Sequence, residues 1–275
     1  MNATSIALLG CGWLGLPLGR ALAAAGHPVA GSTTSADKLP ALTAAGIRPH
    51  LLRLVPATTA AHVAPLLAGA AVLVVSVPPS RAAADRAAYA AALQPVAEAL
   101  AASAVRRVVF VSSTGVYADE PRTMTEADAV AAAEADSHLL RAEWVFQQPG
   151  QPWQTTVLRL GGLMGPGRAP GRFLAGRAEV PQPAAPVNML YLDDAVGIVR
   201  AVIEQEVWGR TLNVCGAQHP SREQFYRAAT AQLGLPVPQF VADGRGGKLI
   251  ATEQLRAAVR YDFRFDDPLG ALPYC

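Results

Sequence analysis

Between residues 5 and 160, short apolar runs rich in Val, Ile and Leu alternate with longer alanine-rich stretches, the pattern of strands alternating with helices. The runs predict strands at 6–9, 29–32, 50–54, 71–76, 108–112 and 155–160. The stretches between them predict helices near 13–25, 36–45, 59–68, 82–103 and 126–147. Pro65 and Pro95 are expected to start or kink a turn where they fall, since proline removes an amide donor. Repetition of this unit predicts an α/β fold, a doubly wound parallel sheet covered by helices on both faces. After Leu160 the pattern changes to a Gly- and Pro-rich loop, 161–186, followed by short strand and helix pieces. Residues 1–160 are therefore expected to form the main domain and 161–275 a smaller C-terminal lobe, the two interleaved as one structural unit.

Composition narrows the function without naming it. With 275 residues, 51% hydrophobic and 16% charged, the chain is globular and long enough for a large core. Its 23 Lys and Arg against 21 Asp and Glu leave a formal charge of +2 with no basic run, so neither nucleic acid nor an anionic membrane is an expected partner. Only Lys38 and Lys248 among the basic residues are lysines. The longest apolar run, 70–79, is strand-sized and ends in two prolines, well short of the roughly 18 residues that cross a bilayer. Cys11, Cys215 and Cys275 are widely spaced, with no C-x-x-C and no histidine near a second ligand. No metal site is expected, and the chain reads as reduced and cytoplasmic. Leu8-Leu9-Gly10-Cys11 looks like a bacterial lipoprotein cleavage site. The stretch before it has no basic side chain and too short an apolar part, so that reading is set aside.

Gly10-Cys11-Gly12-Trp13-Leu14-Gly15 follows the first predicted strand and opens the first predicted helix. Gly10 permits a tight turn, Gly12 lets a pyrophosphate approach the backbone, and Gly15 lets helix and strand pack closely, while the amides of the helix N-terminus face the anion. The second strand arrives within about 30 residues, the length of a βαβ unit, so residues 10–15 are expected to bind a dinucleotide in a Rossmann domain. An NAD site commonly presents an acidic residue at the end of the second strand. Here stand Ser32, Thr33, Thr34 and, a little further on, Lys38, donors suited to a phosphate. NADP is the expected cofactor, with NAD as the alternative. Thr34 or Ser35 can also cap the next helix, with Asp37 in its first turn.

The fifth strand runs into Val111-Ser112-Ser113-Thr114-Gly115-Val116-Tyr117 and the sixth into Leu158-Arg159-Leu160-Gly161-Gly162-Leu163-Met164-Gly165. Further on stands Asn188-Met189-Leu190-Tyr191-Leu192-Asp193-Asp194-Ala195. Together with the glycine motif, and in this order, these segments resemble extended short-chain dehydrogenases/reductases of the NAD-dependent epimerase/dehydratase group. The resemblance implies that Ser113, four residues before Tyr117, hydrogen-bonds the reacting carbonyl or hydroxyl, with Thr114 able to share the role. It implies that Ser76, Val77 and Pro78 line the cofactor channel, that Leu160, Gly161 and Leu163 flank the nicotinamide, and that Asn188 and Tyr191 meet substrate. It also suggests a homodimer through the helices at 82–103 and 126–147. Asp193 and Asp194 read more simply as caps of the helix that they open.

One departure from that group is large. Its catalytic members carry Tyr-x-x-x-Lys, and here no tyrosine has a lysine four residues later. The corresponding helix offers Ser137-His138-Leu139-Leu140-Arg141 instead, which looks like an atypical branch of the group. His138, with Arg141 on the same helix face, and Tyr117 are the candidates for proton transfer. Two functions follow as expectations. One is an NADP-dependent oxidoreductase or epimerase/dehydratase acting on a small polar molecule, a nucleotide sugar or another hydroxyl or carbonyl compound. The other is a non-catalytic protein that senses NADP(H) and passes its state to a partner.

Overall fold

In chain order the strands are β1 (Ile6–Leu9), β2 (Val29–Thr33), β3 (Ile47–Leu51), β4 (Val72–Val75), β5 (Arg107–Ser113), β6 (Thr123–Met124), β7 (Gln154–Leu160), β8 (Gly162–Met164), β9 (Met189–Tyr191), β10 (Thr211–Val214) and β11 (Leu249–Ile250). Seven of them form one parallel sheet in the order β10-β7-β5-β4-β1-β2-β3. The chain runs outward from β1 through β2 to β3, then returns to β4 on the other side of β1. This reversal puts the switch point at the carboxyl ends of β1 and β4, where open α/β sheets bind ligands. The computed structural model describes residues 3–79, 82, 86–242, 244 and 246–275.

The helices are α1 (Gly15–Ala24), α2 (Leu39–Ala44), α3 (Ala60–Leu67), α4 (Tyr89–Ala101), α5 (His138–Gln147), α6 (Gly171–Leu174), α7 (Leu192–Glu204), α8 (Arg222–Gln232), α9 (Glu253–Ala258) and α10 (Pro268–Ala271). Every residue of β1 and β4 is buried, as strands covered on both faces require. Helix α1 buries Gly15, Leu18, Gly19 and Leu22, the three-and-four spacing of a single face. A Cβ on Gly19 would lie 2.5 Å from Ile47 Cδ1, so glycine there lets the helix seat on the sheet.

Three predicted elements change. The third strand is Ile47–Leu51 rather than 50–54. The helix expected over 126–147 is a 3-10 turn, Glu126–Asp128, followed by non-helical chain and then α5. Arg159 explains the break: its guanidinium donates to Glu126 O at 3.1 Å and Ala129 O at 2.8 Å, carbonyls that a continuing helix would use itself. The helix expected over 82–103 is α4, and positions 83–85 lie outside the described residues. Pro65 and Pro95 fall inside α3 and α4 and end neither.

The chain folds into two compact units, each built from three segments. The first comprises Met1–Ser112, Val130–Leu158 and Val199–Thr211, and the second Ser113–Ala129, Arg159–Ile198 and Leu212–Cys275. Within the second unit are two short parallel pairs, β6 with β11 and β8 with β9. Its core gathers Met164, Tyr191, Phe225 and Leu272. Among the described residues no helix is long and apolar enough to cross a membrane.

Candidate functional site

In the first unit the ends of β1, β2 and β4 are stitched together around the glycine turn. Gly10 N–H donates to Ser32 Oγ at 2.9 Å, Cys11 N–H to Ser32 O at 2.7 Å, and Ser76 N–H to Leu9 O at 2.8 Å. Gly10 has φ +100, which favours glycine, and a Cβ there would meet Ser76 O at 3.0 Å. A Cβ on Gly15 would lie 2.0 Å from Gly10 O, so the helix can start where it does only without a side chain. Gly12 is different: a Cβ there meets nothing within 4 Å. The backbone at Gly12 therefore borders open space, just before α1 begins.

That space belongs to a cavity of about 770 Å³. It is lined by Gly10, Cys11 and Gly12, by Ser32, Thr33, Thr34 and Lys38, and by Ser76, Val77 and Pro78. Trp13, Leu14 and Gly15 do not line it; Leu14 and Gly15 are buried beneath the turn. Two polar side chains of the lining were not among the site residues expected from the sequence. Arg53 lines the wall after β3, and Tyr89 donates its hydroxyl to Val77 O at 2.6 Å, holding the 76–78 loop. Among the described residues the lining carries two cations, Lys38 and Arg53, and no acidic side chain. These features fit a dinucleotide: open backbone for a pyrophosphate, beside positive charge.

The donors after β2 divide in two. Ser32 is 2% exposed and its oxygen is committed to Gly10, while Thr33 Oγ1 accepts Ser35 N–H at 3.3 Å. Both hydroxyls serve the local backbone, whereas Thr34 and Lys38 are exposed. Ser35 occupies the N-cap position of the Ala36–Lys38 turn without making a cap bond; its hydroxyl donates to Asp37 and holds that carboxyl below its usual range. Cys11 fills the space that Gly31 leaves, since a Cβ on Gly31 would stand 2.5 Å from its Sγ. Burial pushes the Cys11 thiol up to about 12, so it is no nucleophile.

The candidate catalytic groups divide between the units: Ser113, Thr114 and Tyr117 in the second, His138 in the first. Ser113 ends β5 and its Oγ accepts Gly115 N–H at 3.0 Å, which leaves its own proton to donate. Thr114 is buried in the 3-10 turn Thr114–Val116. Tyr117 is 5% exposed and held on both sides, donating to Asn213 Oδ1 at 2.6 Å and accepting from Arg159 at 2.9 Å. Burial raises the pKa of this phenol, with Arg159 opposing. Tyr117 is therefore an anchor of the second unit, which corrects its candidacy for proton transfer. His138 opens α5 with its ring edge-on to Tyr89 at 6.5 Å. Partial burial, then the positive charges of Arg86 and Arg141, lower its pKa and favour the neutral imidazole. Arg141 turns back to Ala135 O and Asp136 O.

The residues assigned to substrate are also engaged by the fold. Asn188 donates Nδ2–H to Lys248 O at 2.8 Å and accepts Ile250 N–H at 3.0 Å, so its amide binds backbone. Tyr191 is 4% exposed; its hydroxyl donates to Tyr274 O at 3.0 Å and its ring packs on Phe265. Gly161 admits a close crossing, since a Cβ there would lie 2.6 Å from Asn188 O. Leu160 is buried at the end of β7, and Leu163 sits half-buried in β8 opposite Leu190. Asp194 does not act as a cap: it is buried and accepts from Tyr261 OH and from the amides of Arg264 and Phe265. Among residues outside the sequence reading, Glu143 is buried in the first unit and accepts Ser112 OH at 2.5 Å. No motif signals it, because only the fold brings position 143 to the end of β5.

The NAD(P)H-binding family is matched across residues 10–183. Protein YeeZ of Escherichia coli strain K12 is 33% identical over 269 residues, covering 96% of this chain and 97% of that protein. Among solved structures, a UDP-glucuronic acid 4-epimerase from Bacillus cereus in complex with NAD is similar in fold, with TM-score 0.79 and 15% identity over 98% of this chain and 97% of that one. A short-chain dehydrogenase/reductase superfamily protein from Agrobacterium tumefaciens with bound NAD gives TM-score 0.74 and 17% identity over 98% and 94%.

Proposed function

Because the chain belongs to the NAD(P)H-binding family, we propose that it is an NADP(H)-dependent oxidoreductase or epimerase/dehydratase acting on a small polar hydroxyl or carbonyl compound of the nucleotide-sugar kind. The observation that carries this reading is the cavity of the first unit, with open backbone at Gly12 and, among the described residues of its lining, two cations and no acid. A ribose phosphate would find Lys38, Arg53 and the Thr34 hydroxyl, while a bare ribose would find no carboxylate among the described lining residues to hold its hydroxyls.

Bound NADP(H) would supply or accept the hydride. The chain's own part is binding, orientation and protons. The open backbone at Gly12 holds the pyrophosphate. Lys38 and Arg53 select the phosphorylated ribose, and Tyr89 keeps the 76–78 wall in place through Val77 O. Ser113 donates its remaining proton to the reacting oxygen and draws electron density from the carbon. His138, whose lowered pKa keeps it neutral at pH 7, is the group left to move a proton.

One observation favours the second reading, a sensor without turnover: the phenol of Tyr117 is enclosed, so the tyrosine nearest Ser113 in sequence offers no acid. Incubation of NADPH with a panel of nucleotide sugars and simple carbonyl compounds separates the two, with cofactor absorbance and sugar chromatography as readouts. Substrate-dependent conversion that falls at least tenfold in Ser113→Ala supports the enzyme. Tight NADPH binding with no conversion across the panel supports the sensor.

A further inference from the structure

Lysine occurs at Lys38 and Lys248 alone, and the fold fixes the backbone of Lys248 from several directions within the second unit. Gly247, just before it, has φ +98, and a Cβ there would stand 2.5 Å from Ala185 Cβ, so only glycine threads this passage. Just after it, β11 pairs with β6 in the register Leu249↔Thr123 and Ile250↔Met124. Asn188 clamps the stretch between, gripping Lys248 O and Ile250 N–H with the two ends of one amide.

The side chain held this way reaches across 131 residues of sequence, and its half-buried ammonium donates to Tyr117 O at 2.7 Å. Among the described residues it has no ion-pair partner within contact, and Asp119 acts on it only at longer range. Tyr117 closes the turn that Ser113 opens. Ser113 Oγ takes Gly115 N–H at the start of the turn, Tyr117 N–H donates to Thr114 O at 3.3 Å, and Lys248 holds the carbonyl at the end. A charged donor makes a stronger bond to that carbonyl than a neutral one does.

We propose that Lys248 is the positioning residue of the Ser113 turn: its ammonium pins the Tyr117 carbonyl and so sets the direction of the Ser113 hydroxyl. This rests on the reading of Ser113 as the donor that polarises the reacting oxygen. The cation at this site thus comes from a segment far along the chain, in a molecule whose α5 contains no lysine.

Amide hydrogen exchange at neutral pH, read residue by residue by NMR on the full chain, tests the role without a substrate. In Lys248→Met the protection of Gly115 and Tyr117 should fall at least tenfold, while Gly10 and Cys11 keep theirs and NADPH affinity is unchanged. Lys248→Arg, which retains a cationic donor, should restore protection to within about threefold of the parent. Unchanged protection in Lys248→Met, or equal loss in both variants, overturns the proposal. Should Lys248→Met fail to fold, the parent decides: with two lysines, ammonium labelling gives two signals. The Lys248 signal should exchange slowly and couple across a hydrogen bond to Tyr117 C=O, and two equally solvated signals overturn the proposal. Turnover in Ser113→Ala tests the premise separately, so either can fail alone.

Discussion

Ser32 at the end of β2 holds two successive amides of the glycine turn, Gly10 through its hydroxyl oxygen at 2.9 Å and Cys11 through its carbonyl at 2.7 Å. The turn that faces the cavity is thus shaped from the neighbouring strand. Ser32→Ala leaves the Gly10 amide without that acceptor, which is expected to cost about 1–3 kcal/mol of stability. Loosening the turn should weaken NADPH binding about tenfold, that is by about 1.4 kcal/mol. Denaturant unfolding and calorimetric titration check the two effects, and parent-like affinity would show that the clamp is dispensable for binding.

Gly12 and Gly15 separate binding from folding. Gly15→Ala drives a Cβ into Gly10 O, backbone against backbone, and is expected to cost about 3 kcal/mol or more. Gly12→Val places its branched side chain in open space and should keep the unfolding midpoint close to the parent's while abolishing dinucleotide binding. A valine variant that still binds NADPH normally would remove Gly12 from the site.

The sheet centre was legible because its strands are uninterrupted apolar runs: β1 falls at Ile6–Leu9 as predicted, and β4 and β7 within a residue at each end. β3 was displaced by three residues because it is an edge strand paired with β2 alone, and its Arg48, Pro49 and His50 give no apolar signal. That shift concealed Arg53, which read as strand interior but stands in the loop beyond β3, on the cavity wall. The helix expected at 126–147 followed alanine propensity, and Arg159 overrode it by taking two backbone carbonyls. The residues placed with substrate, Asn188 and Tyr191, were chosen by resemblance, while their bonds to Lys248, Ile250 and Tyr274 depend on contacts 60 to 83 residues apart. No local pattern carries such partners.

Tyr117→Phe removes a hydroxyl that two buried groups share. Arg159 loses an acceptor and Asn213 a donor, so the variant should be less stable by about 1–3 kcal/mol, with cofactor affinity unaltered. Thermal unfolding beside turnover checks this. A phenylalanine variant as stable as the parent but without turnover would return Tyr117 to acid–base chemistry.

Stability should also fall on mild acidification. His50, His138 and His219 all have folded-state pKa values below the ordinary 6.5, in each case chiefly through burial. In the window below about 6.5 the unfolded chain therefore binds more protons than the folded one. The stabilisation is complete above that value and is lost as pH falls through the folded values. Denaturant midpoints should be lower at about pH 5 than at about pH 7.5, and a flat or inverted profile over that range would contradict the assignment.

In the proposed site the first unit's cavity holds NADP(H), with Lys38 and Arg53 on its ribose phosphate. Calorimetric titration of the parent protein with NADPH and with NADH, at one moderate salt concentration, tests it most directly. The account predicts NADPH tighter by about tenfold or more, with the difference largely erased in the double variant Lys38→Ala and Arg53→Ala. Equal affinities in the parent, or a preference for NADH, would contradict it.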